Sequence, residues 1–414
     1  MNNNFNIKPL FPQLRFPEFK DPWQKKQLSE VGTVVSGLTY KPSDVVDDGI
    51  LVLRSSNIRK AKLSFKDNVY VNPKTVSFNA VMESDILICV RNGSKRLIGK
   101  NALVDKNAEG SAFGAFMSVF RSESNKFIFQ LFNSDTYKKQ VHRNLGATIN
   151  SINGSDLKKF TFGFPSKDEQ EKIASFLASV DNWIENLEKQ KNSLEEYKKG
   201  IMQKIFSQEI RFKDKNGCEY PEWKKIKLRK LSKVITKGTT PTSLGFSYLK
   251  EGVNFIKAEN INQYSEISIS ETMKVSSECN QALSRSSLEE NDILFSIAGT
   301  LGRTAIVKKK DLPANTNQAL AVIRLNSTVD VFFIEKFLNS QMIEKYILQM
   351  LSVGAQPNLS LKQVGNIEVN LPSIKEQMQI ASFLFSIENL VESKSKQITK
   401  AKEWKKGLLQ QMFV

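Results

Sequence analysis

Apolar side chains recur every three or four residues along two long stretches of the chain. The first stretch runs from Ile173 to Ile205 and the second from Ile380 to Met412, and neither contains a proline. A mean spacing of 3.5 residues is typical of the seam of a coiled coil, so each stretch is predicted to form one long helix. The predicted seam positions are Ile173, Leu177, Val180, Ile184, Leu187, Leu194, Ile201, Ile380, Leu384, Ile387, Val391, Ile398 and Leu408.

A serine followed three residues later by a glutamate marks the start of each predicted helix. Ser166 precedes Glu169 in the first stretch, and Ser373 precedes Glu376 in the second. In a capping box the serine accepts a hydrogen bond from an amide of the first turn, while the glutamate reaches back to the cap amide. We therefore expect a capping box at both helix starts.

The two helical stretches are copies of one another. The chain reads FPSKDEQEKIASFL from Phe164 and LPSIKEQMQIASFL from Leu371, and the same offset carries Asp181 onto Glu388. The weaker echoes outside these stretches are Asp85-Ile86-Leu87 with Asp292-Ile293-Leu294, Asn133-Ser134 with Asn339-Ser340, and Leu14-Arg15-Phe16 through Trp23 with Ile210-Arg211-Phe212 through Trp223. A tandem duplication explains why the helix motif and the residues around it repeat at the same offset. Because residues 24–160 and 224–367 match only at scattered anchors, the copies are predicted to share a framework but to carry modules with different roles.

The duplication predicts four segments along the chain. Residues 1–165 form a first module with its lead-in, 166–208 the first helix, 209–372 a second module and 373–414 the second helix. Strand-like runs and helices in each module indicate an α+β fold, in which two mixed α/β modules are joined by the two long helices. A whole module separates the helices, so they could pair in either direction. We favour an antiparallel coiled coil, with the two copies related by an approximate two-fold axis, because parallel pairing would crowd both modules at one end.

Positive charge is concentrated in the modules. The chain has 60 Lys and Arg residues against 43 Asp and Glu residues, a formal net charge of +17. The helical stretches are close to neutral, so nearly all of the excess belongs to the modules and their lead-ins. A polyanion is the partner that this charge favours, although charge alone does not distinguish DNA from RNA. A solvated lysine-rich surface without a partner is the alternative.

Polar and basic loops follow apolar, strand-like runs at matching places in both modules. In the first module Ile86–Val90 leads through a loop to Ala102–Val104, and in the second Ile293–Ile297 leads to Ala305–Val307. Such loops can carry side chains to phosphates or base edges, whereas a plain hairpin turn explains any single glycine in them equally well. The candidate nucleic-acid contact residues are Arg54, Ser55, Asn57, Arg91, Ser94, Lys95, Arg96, Lys100, Lys257, Asn260, Thr300 and Arg303.

Residues that would support catalysis or a metal site are scarce. His142 is the single histidine, and the three cysteines Cys89, Cys218 and Cys279 are far apart without a Cys-x-x-Cys pair. This composition argues against a disulfide framework, a zinc site and histidine-ligated metals. We therefore expect a chain that recognises and scaffolds, with no catalytic residue and no metal of its own. Because the sequence has neither an apolar run of about 18 residues nor a signal-peptide pattern, we also expect a cytoplasmic protein without a membrane partner.

Two divergent basic modules, each followed by a P-S-x-x-E-Q-x-x-I-A-x-F-L helix, resemble the specificity subunit of type I restriction–modification systems. The resemblance covers essentially the whole chain. It includes the Gly-Ala stretches before each helix, Gly146-Ala147-Thr148-Ile149-Asn150 and Gly354-Ala355-Gln356-Pro357-Asn358. The recognition residues differ from one member of the family to another, so no individual base contact can be carried over to this chain.

The resemblance implies a function and a set of partners. In the family each variable module is a target-recognition domain that reads one half of a bipartite double-stranded DNA sequence, and the conserved helices form an antiparallel coil that spaces the halves. The coil binds two modification subunits, which use S-adenosylmethionine to methylate adenine, and two restriction subunits add ATP- and Mg²⁺-dependent translocation and cleavage. This chain is then expected to bind no cofactor itself. Because its two modules differ, its target is expected to be asymmetric.

Two other functional classes remain open at this stage. A self-contained DNA methyltransferase or nuclease would transfer methyl groups or cut DNA as the purified chain alone. A coiled-coil adaptor whose modules bind acidic proteins would ignore DNA sequence and keep its binding at high salt.

Overall fold

The computed structural model of the chain describes residues 9–145, 150–262, 264–352 and 358–414. Most of the two Gly-Ala stretches, namely residues 146–149 and 354–357, lies outside the described residues. The chain divides into two compact units. Unit 1 comprises the residues up to Glu188 together with Lys396–Val414, and unit 2 comprises Lys189–Ser395. Each unit therefore contains one module and a part of each long helix, while the division of the sequence into four consecutive segments stays a prediction.

Unit 1 contains a mixture of short strands and helices. Its strands are β1 (Gln24–Gln27), β2 (Thr33–Ser36), β3 (Val45–Val46), β4 (Ile50–Leu53), β5 (Ile58–Arg59), β6 (Lys62–Leu63), β7 (Tyr70–Val71), β8 (Ile86–Cys89), β9 (Asn101–Leu103), β10 (Ala112–Phe113), β11 (Met117–Arg121) and β12 (Thr161–Phe164). Its helices are α1 (Leu28–Val31), α2 (Asn125–Phe132), α3 (Asp135–Asn144), α4 (Gly154–Lys158) and the first part of α5 (Lys167–Phe206).

Unit 2 has a closely similar order of elements. Its strands are β13 (Lys224–Lys227), β14 (Ser232–Lys237), β15 (Val253–Ile256), β16 (Met273–Val275), β17 (Ile293–Ser296), β18 (Thr304–Ile306), β19 (Ala314–Thr316), β20 (Leu320–Leu325) and β21 (Glu368–Leu371). Its helices are α6 (Leu228–Leu231), α7 (Ser277–Ala282), α8 (Val331–Leu338), α9 (Gln341–Ser352), α10 (Leu361–Gly365) and the first part of α11 (Ile374–Met412). The strand–loop–strand prediction is confirmed, because β8 and β9 pair antiparallel, as do β17 and β18.

The same sheets recur in both units, as a duplication predicts. An antiparallel sheet of four strands has the order β2-β11-β8-β9 in unit 1 and β14-β20-β17-β18 in unit 2. A second sheet is built around one parallel pair, β4 with β10 in unit 1 and β15 with β19 in unit 2. The first and last strands of each module also pair, β1 with β12 and β13 with β21. Each module therefore begins and ends at one place, directly before a long helix.

A buried ion pair explains one of the sequence echoes. Asp85 at the start of β8 accepts two hydrogen bonds from the Arg121 guanidinium, at 2.9 and 2.7 Å. Asp292 at the start of β17 accepts the equivalent pair from Arg324, both at 2.8 Å. Both carboxylates are almost fully buried, where a charged group needs a partner, and each has its arginine as counter-ion. The repeated Asp-Ile-Leu therefore marks a strand start tied to the neighbouring strand of the same sheet.

The long helices pair antiparallel within each unit, as expected. α5 has 40 residues and α11 has 39, which gives each a length of about 60 Å. In unit 1 Lys402 binds Glu188 and Lys405 binds Asp181, each at 2.5 Å. From Asp181 to Glu188 along α5, the partner residue moves back along α11 from Lys405 to Lys402. The two helices therefore run in opposite directions. In unit 2 Lys198 binds Glu388 at 2.6 Å, further along α5 and earlier along α11 than the unit 1 contacts, which fits the same direction.

The predicted seam is buried along most of its length. Leu194 and Ile201 are half-buried, and the other seam positions are at most 8% exposed. The buried seam residues are Ile173, Leu177, Val180, Ile184, Leu187, Ile398 and Leu408 in unit 1, and Ile380, Leu384, Ile387 and Val391 in unit 2. Most of them join the main apolar core of their own unit. Burial of these apolar faces is therefore what attaches each module to the coiled coil.

The predicted capping boxes form only in part. Ser166 and Ser373 do accept the amide hydrogens of Glu169 and Glu376, at 3.4 and 3.5 Å. The prediction that each glutamate accepts a hydrogen bond from the cap amide is wrong. Each carboxylate is almost fully buried and binds an arginine of the lead-in instead: Arg15 holds Glu169 at 2.8 Å through two nitrogens, and Arg211 holds Glu376 at 3.1 Å. A forked guanidinium stabilises a buried carboxylate better than one amide does.

The cysteines and the helices add two observations. All three cysteines lie in the described part of the chain and are free thiols, with Cys89 and Cys279 buried and Cys218 exposed. Over the described ranges, no helix combines the length and the apolar character needed to cross a lipid bilayer.

Candidate nucleic-acid interface

Two loops of unit 1 meet where strands β4 and β8 end. One is a short turn, residues 54–57, that follows β4, and the other is residues 90–100, which join β8 to β9. The Asn92 side-chain amide donates to the Ser55 hydroxyl at 3.2 Å, and the Lys100 ammonium donates to the Ser55 carbonyl at 3.3 Å. Sequence-predicted residues that are far apart in the chain are thus brought together in one surface.

The 91–96 part of the longer loop presents the exposed cations of this surface. Arg91, Ser94, Lys95 and Arg96 are all exposed. Asn150 holds this loop in place. Its side-chain amide donates to the Gly93 carbonyl at 3.1 Å, and its carbonyl accepts from the Asn92 backbone amide at 3.3 Å. Because this loop is already ordered, its cations can contact a polyanion without a further loss of loop conformational entropy.

Two of the predicted contact residues have a different role. Asn57 is fully buried, and its side chain accepts from the Arg54 amide at 2.9 Å and donates to the Ser64 carbonyl at 3.0 Å. Asn260 is 4% exposed and accepts from the Lys257 amide at 2.8 Å. A short amide side chain can replace backbone hydrogen bonds in a turn. Both asparagines therefore hold their turns in shape and are not placed to contact DNA directly.

Three cations of the predicted set are half-buried and already engaged. Arg54 forms an ion pair with Asp67 at 3.1 Å. Burial lowers the pKa of the Lys100 ammonium, although the nearby Cys89 acts in the opposite direction. In unit 2 the Lys257 ammonium lies over the Tyr248 ring, 4.9 Å from its centroid. These side chains shape the surface, and a contact to DNA would require them to exchange partners.

The matching loop of unit 2 lies between β17 and β18. Arg303 is exposed, and its guanidinium donates to the Ala258 and Ile261 carbonyls at 3.3 and 3.2 Å, which ties this loop to the 257–260 turn. Thr300 is also exposed, and its carbonyl accepts from the Ser296 hydroxyl at 2.6 Å. Unit 2 therefore builds the same pair of adjoining loops as unit 1, with far fewer cations.

Sequence reasoning missed two exposed features of unit 1. Phe116 lies beside the basic loop and is 56% exposed. Lys60 and Ala61 have positive φ values of 50° and 58° in a tight hairpin between β5 and β6, where Arg59 and Lys60 are exposed. Neither had a motif that could reveal it, although a turn that requires positive φ at non-glycine residues is unusual enough to indicate a constrained site.

A charged bridge attaches each module to the long helices. In unit 2 Glu388 of α11 binds Lys198 of α5 and Lys336 of α8, both at 2.6 Å. Lys336 also binds Glu335 at 2.7 Å, and both are almost fully buried. Burial alone would lower the pKa of Lys336, but the carboxylates of Glu335 and Glu388 raise it above its ordinary value, so the lysine stays charged. We call these residues the Glu388 bridge.

Unit 1 has the corresponding bridge with one change of chemistry. Asp181, which the duplication aligns with Glu388, binds Lys405 at 2.5 Å and accepts the Gln130 amide at 3.1 Å. A neutral glutamine of α2 thus occupies the place of Lys336. Lys198 and Lys405, which occupy equivalent positions in the two copies, are thus each paired with a carboxylate of the facing helix.

The chain matches the type I restriction modification DNA specificity domain twice, over residues 20–196 and 220–403. It is 26% identical to the type I restriction enzyme EcoKI specificity subunit of Escherichia coli, with 92% of this chain and 85% of that one covered. It is 25% identical to the type I restriction enzyme MjaVIII specificity subunit of Methanocaldococcus jannaschii, with 94% and 92% covered. Its fold resembles the crystal structure of the type I restriction–modification S subunit from M. genitalium, with a TM-score of 0.58, 18% identity and coverage of 98% and 99%. With both copies matched and the same architecture found, the chain belongs to the type I restriction–modification DNA specificity family.

Proposed function

We propose that this chain is the DNA-specificity subunit of a type I restriction–modification complex, in which the modules of unit 1 and unit 2 each read one half of a bipartite target. The observation that carries the proposal is the double family match, one match for each of two units with similar folds. In each unit two adjoining loops follow sheet strands and present exposed polar side chains. Phosphate contacts would hold the duplex, and side chains of these loops would read base edges in the major groove.

The two units favour an asymmetric target. Unit 1 places Arg91, Lys95 and Arg96 on its exposed loop, whereas unit 2 presents Thr300 and Arg303 at the corresponding place. Different side chains offer different hydrogen-bond patterns to the major groove, where each base pair has its own donor and acceptor code. The two half-sites should therefore differ in sequence.

The partners and cofactors belong to the same proposal. Two modification subunits would dock on the coiled coil and methylate adenine from S-adenosylmethionine, and two restriction subunits would supply ATP- and Mg²⁺-dependent translocation and cleavage. This chain would take no catalytic part and would act in the cytoplasm with its DNA. The coil would set the gap between half-sites, so insertion of whole helical turns into both α5 and α11 should change the permitted gap.

Genome-wide mapping of N6-methyladenine, with and without this gene, tests the proposal. The expected result is one bipartite, asymmetric motif that loses its methylation when the gene is deleted. An unchanged methylation map, or a continuous palindrome, would contradict it. Methyl transfer or DNA cleavage by the purified chain alone would favour a self-contained enzyme instead.

A further inference from the structure

Phe116 is the most exposed aromatic ring beside the candidate DNA surface of unit 1 in the described part of the chain. It lies in the turn between β10 and β11 and is 56% exposed. A single exposed apolar residue needs no special explanation in general. Three further observations distinguish this ring from an ordinary surface phenylalanine.

The first observation is that the backbone of Phe116 is rigidly held. Its carbonyl accepts hydrogen bonds from the amides of Val90 and Arg91, at 3.0 and 3.1 Å, and the Met117 amide donates to Gly114 at 2.8 Å to close the turn. The ring therefore projects from a fixed point at the base of the 91–96 loop. A preorganised apolar group at a contact surface adds affinity without an ordering cost.

The second observation is the charge around the ring. The Arg91 guanidinium lies 5.8 Å from the centroid of the Phe116 ring, close enough for a cation–π contact, and Lys95 and Arg96 follow on the same loop. An apolar ring with an arginine beside it, at the base of a basic loop, suits a surface that contacts both the phosphate backbone and a base.

The third observation is that unit 2 lacks the ring. Ala319 occupies the equivalent position, because its carbonyl accepts from the Ile297 amide at 2.8 Å, just as the Phe116 carbonyl accepts from Val90. The same turn therefore forms with alanine in this place, so the fold does not require the ring. A residue that reads DNA is expected to differ between modules with different half-sites.

We propose that Phe116 reads a thymine of the unit 1 half-site by packing its ring against the 5-methyl group in the major groove, with Arg91 bound beside it. This inference rests on the proposed function and adds a base-reading residue to it. The thymine methyl is the one apolar group that the major groove presents, and phenylalanine is among the side chains that contact it. The ring has no donor or acceptor for the other base edges.

The test combines a change in the protein with a change in the DNA. The full chain in complex with its modification subunits is titrated with its target duplex, and each thymine of the unit 1 half-site is replaced in turn by deoxyuridine, which lacks only the methyl group. At one position the unsubstituted protein should bind the uracil duplex roughly fourfold more weakly, the change expected for one buried methyl group. Phe116→Ala should bind the thymine and uracil duplexes equally at that position, and Phe116→Leu should retain part of the discrimination.

Phe11→Ala is the matched control. Phe11 is 48% exposed and also has an arginine, Arg15, 5.8 Å from its ring centroid, but it lies in the lead-in. This variant should keep the full discrimination between thymine and uracil. If no thymine position responds differently in Phe116→Ala, the inference is wrong. The proposed function fails separately, if the unsubstituted complex does not prefer its target over a scrambled duplex.

Discussion

Replacing Lys336 by methionine is a direct test of the Glu388 bridge. Methionine has nearly the length of lysine but no charge, so the substitution removes the ion pairs and preserves most of the packing. Glu335 is 1% exposed and, among the described residues, would keep the neutral donors Thr304 and Asn339, at 2.7 and 2.5 Å. Glu388 would keep Lys198. The result is a buried carboxylate without its counter-ion.

The loss can be estimated from the burial of this pair. Removing one partner of a buried ion pair costs about 3–5 kcal/mol, because the remaining charge cannot reach water. For a folded unit of the size of unit 2, each kcal/mol corresponds to about 2–4 °C in Tm. Lys336→Met should therefore lower the Tm by about 6–20 °C in a calorimetric scan of the full chain. The double variant Glu335→Gln, Lys336→Met removes the stranded charge as well, so it should recover at least half of that loss.

The matched control is in unit 1. Gln130→Met removes a neutral amide from Asp181, which keeps Lys405, and should cost only about 1 kcal/mol. The reasoning is refuted if Lys336→Met unfolds at the temperature of the unsubstituted chain. It is also refuted if the stability lost in the double variant equals the sum of the losses in Glu335→Gln alone and Lys336→Met alone, since two coupled charges must show an interaction energy.

Four further predictions concern stability, pH and DNA binding. Arg121→Met should lower the free energy of unfolding by about 3 kcal/mol, measured by thermal unfolding, and Asp85→Asn should lower it less. The reason is that a buried Asp85 left without its arginine cannot reach water, whereas Arg121 is 32% exposed and can. Equal losses in the two variants would contradict this order. Burial acts to raise the pKa of Glu388, but Lys336 and Lys198 lower it below its ordinary value, so the stabilisation by Glu388 is present at neutral pH and is lost as the pH falls through the lowered pKa. The difference in Tm between the unsubstituted chain and Lys336→Met should therefore shrink below about pH 4. A difference that stays constant with pH would count against this prediction. Arg303→Ala should weaken only the half-site read by unit 2, by about 1–3 kcal/mol if the guanidinium reads a base; equal losses on every duplex in competition titrations would assign it to a phosphate. Raising the salt from about 50 to 200 mM should weaken target binding at least about hundredfold, and binding that ignores salt would favour an adaptor for other partners.

The framework of the fold could be predicted because its signals are local or repeated. The 3.5-residue spacing from Ile173 onwards is a property of neighbouring turns, and the structure buries that seam as expected. The duplication that aligns Asp181 with Glu388 predicts equivalent groups in both units, and the structure pairs each of them with a lysine of the facing helix. The antiparallel direction followed from the resemblance and from the crowding that parallel pairing would cause.

The fate of polar side chains could not be predicted in the same way. Glu169 fits a capping box by spacing, yet its partner Arg15 lies far away in the chain and approaches only when the module folds. Asn57 and Arg91 looked equally suited to a contact loop, but one is buried and the other exposed. Burial depends on tertiary packing, which a loop of polar residues does not encode locally. Phe116 was missed for the same reason.

The central claim is that two dissimilar modules each read one half of a split target. The ends of each module lie opposite one another, with Gln24 paired to Phe164 and Lys224 paired to Leu371. Residues 24–164 can therefore be replaced by a second copy of residues 224–371 with both long helices left intact. Mapping of N6-methyladenine in cells that carry this graft should give a bipartite motif whose two halves are the same, both matching the half-site of unit 2. A motif that keeps the original unit 1 half-site after the graft would contradict the account.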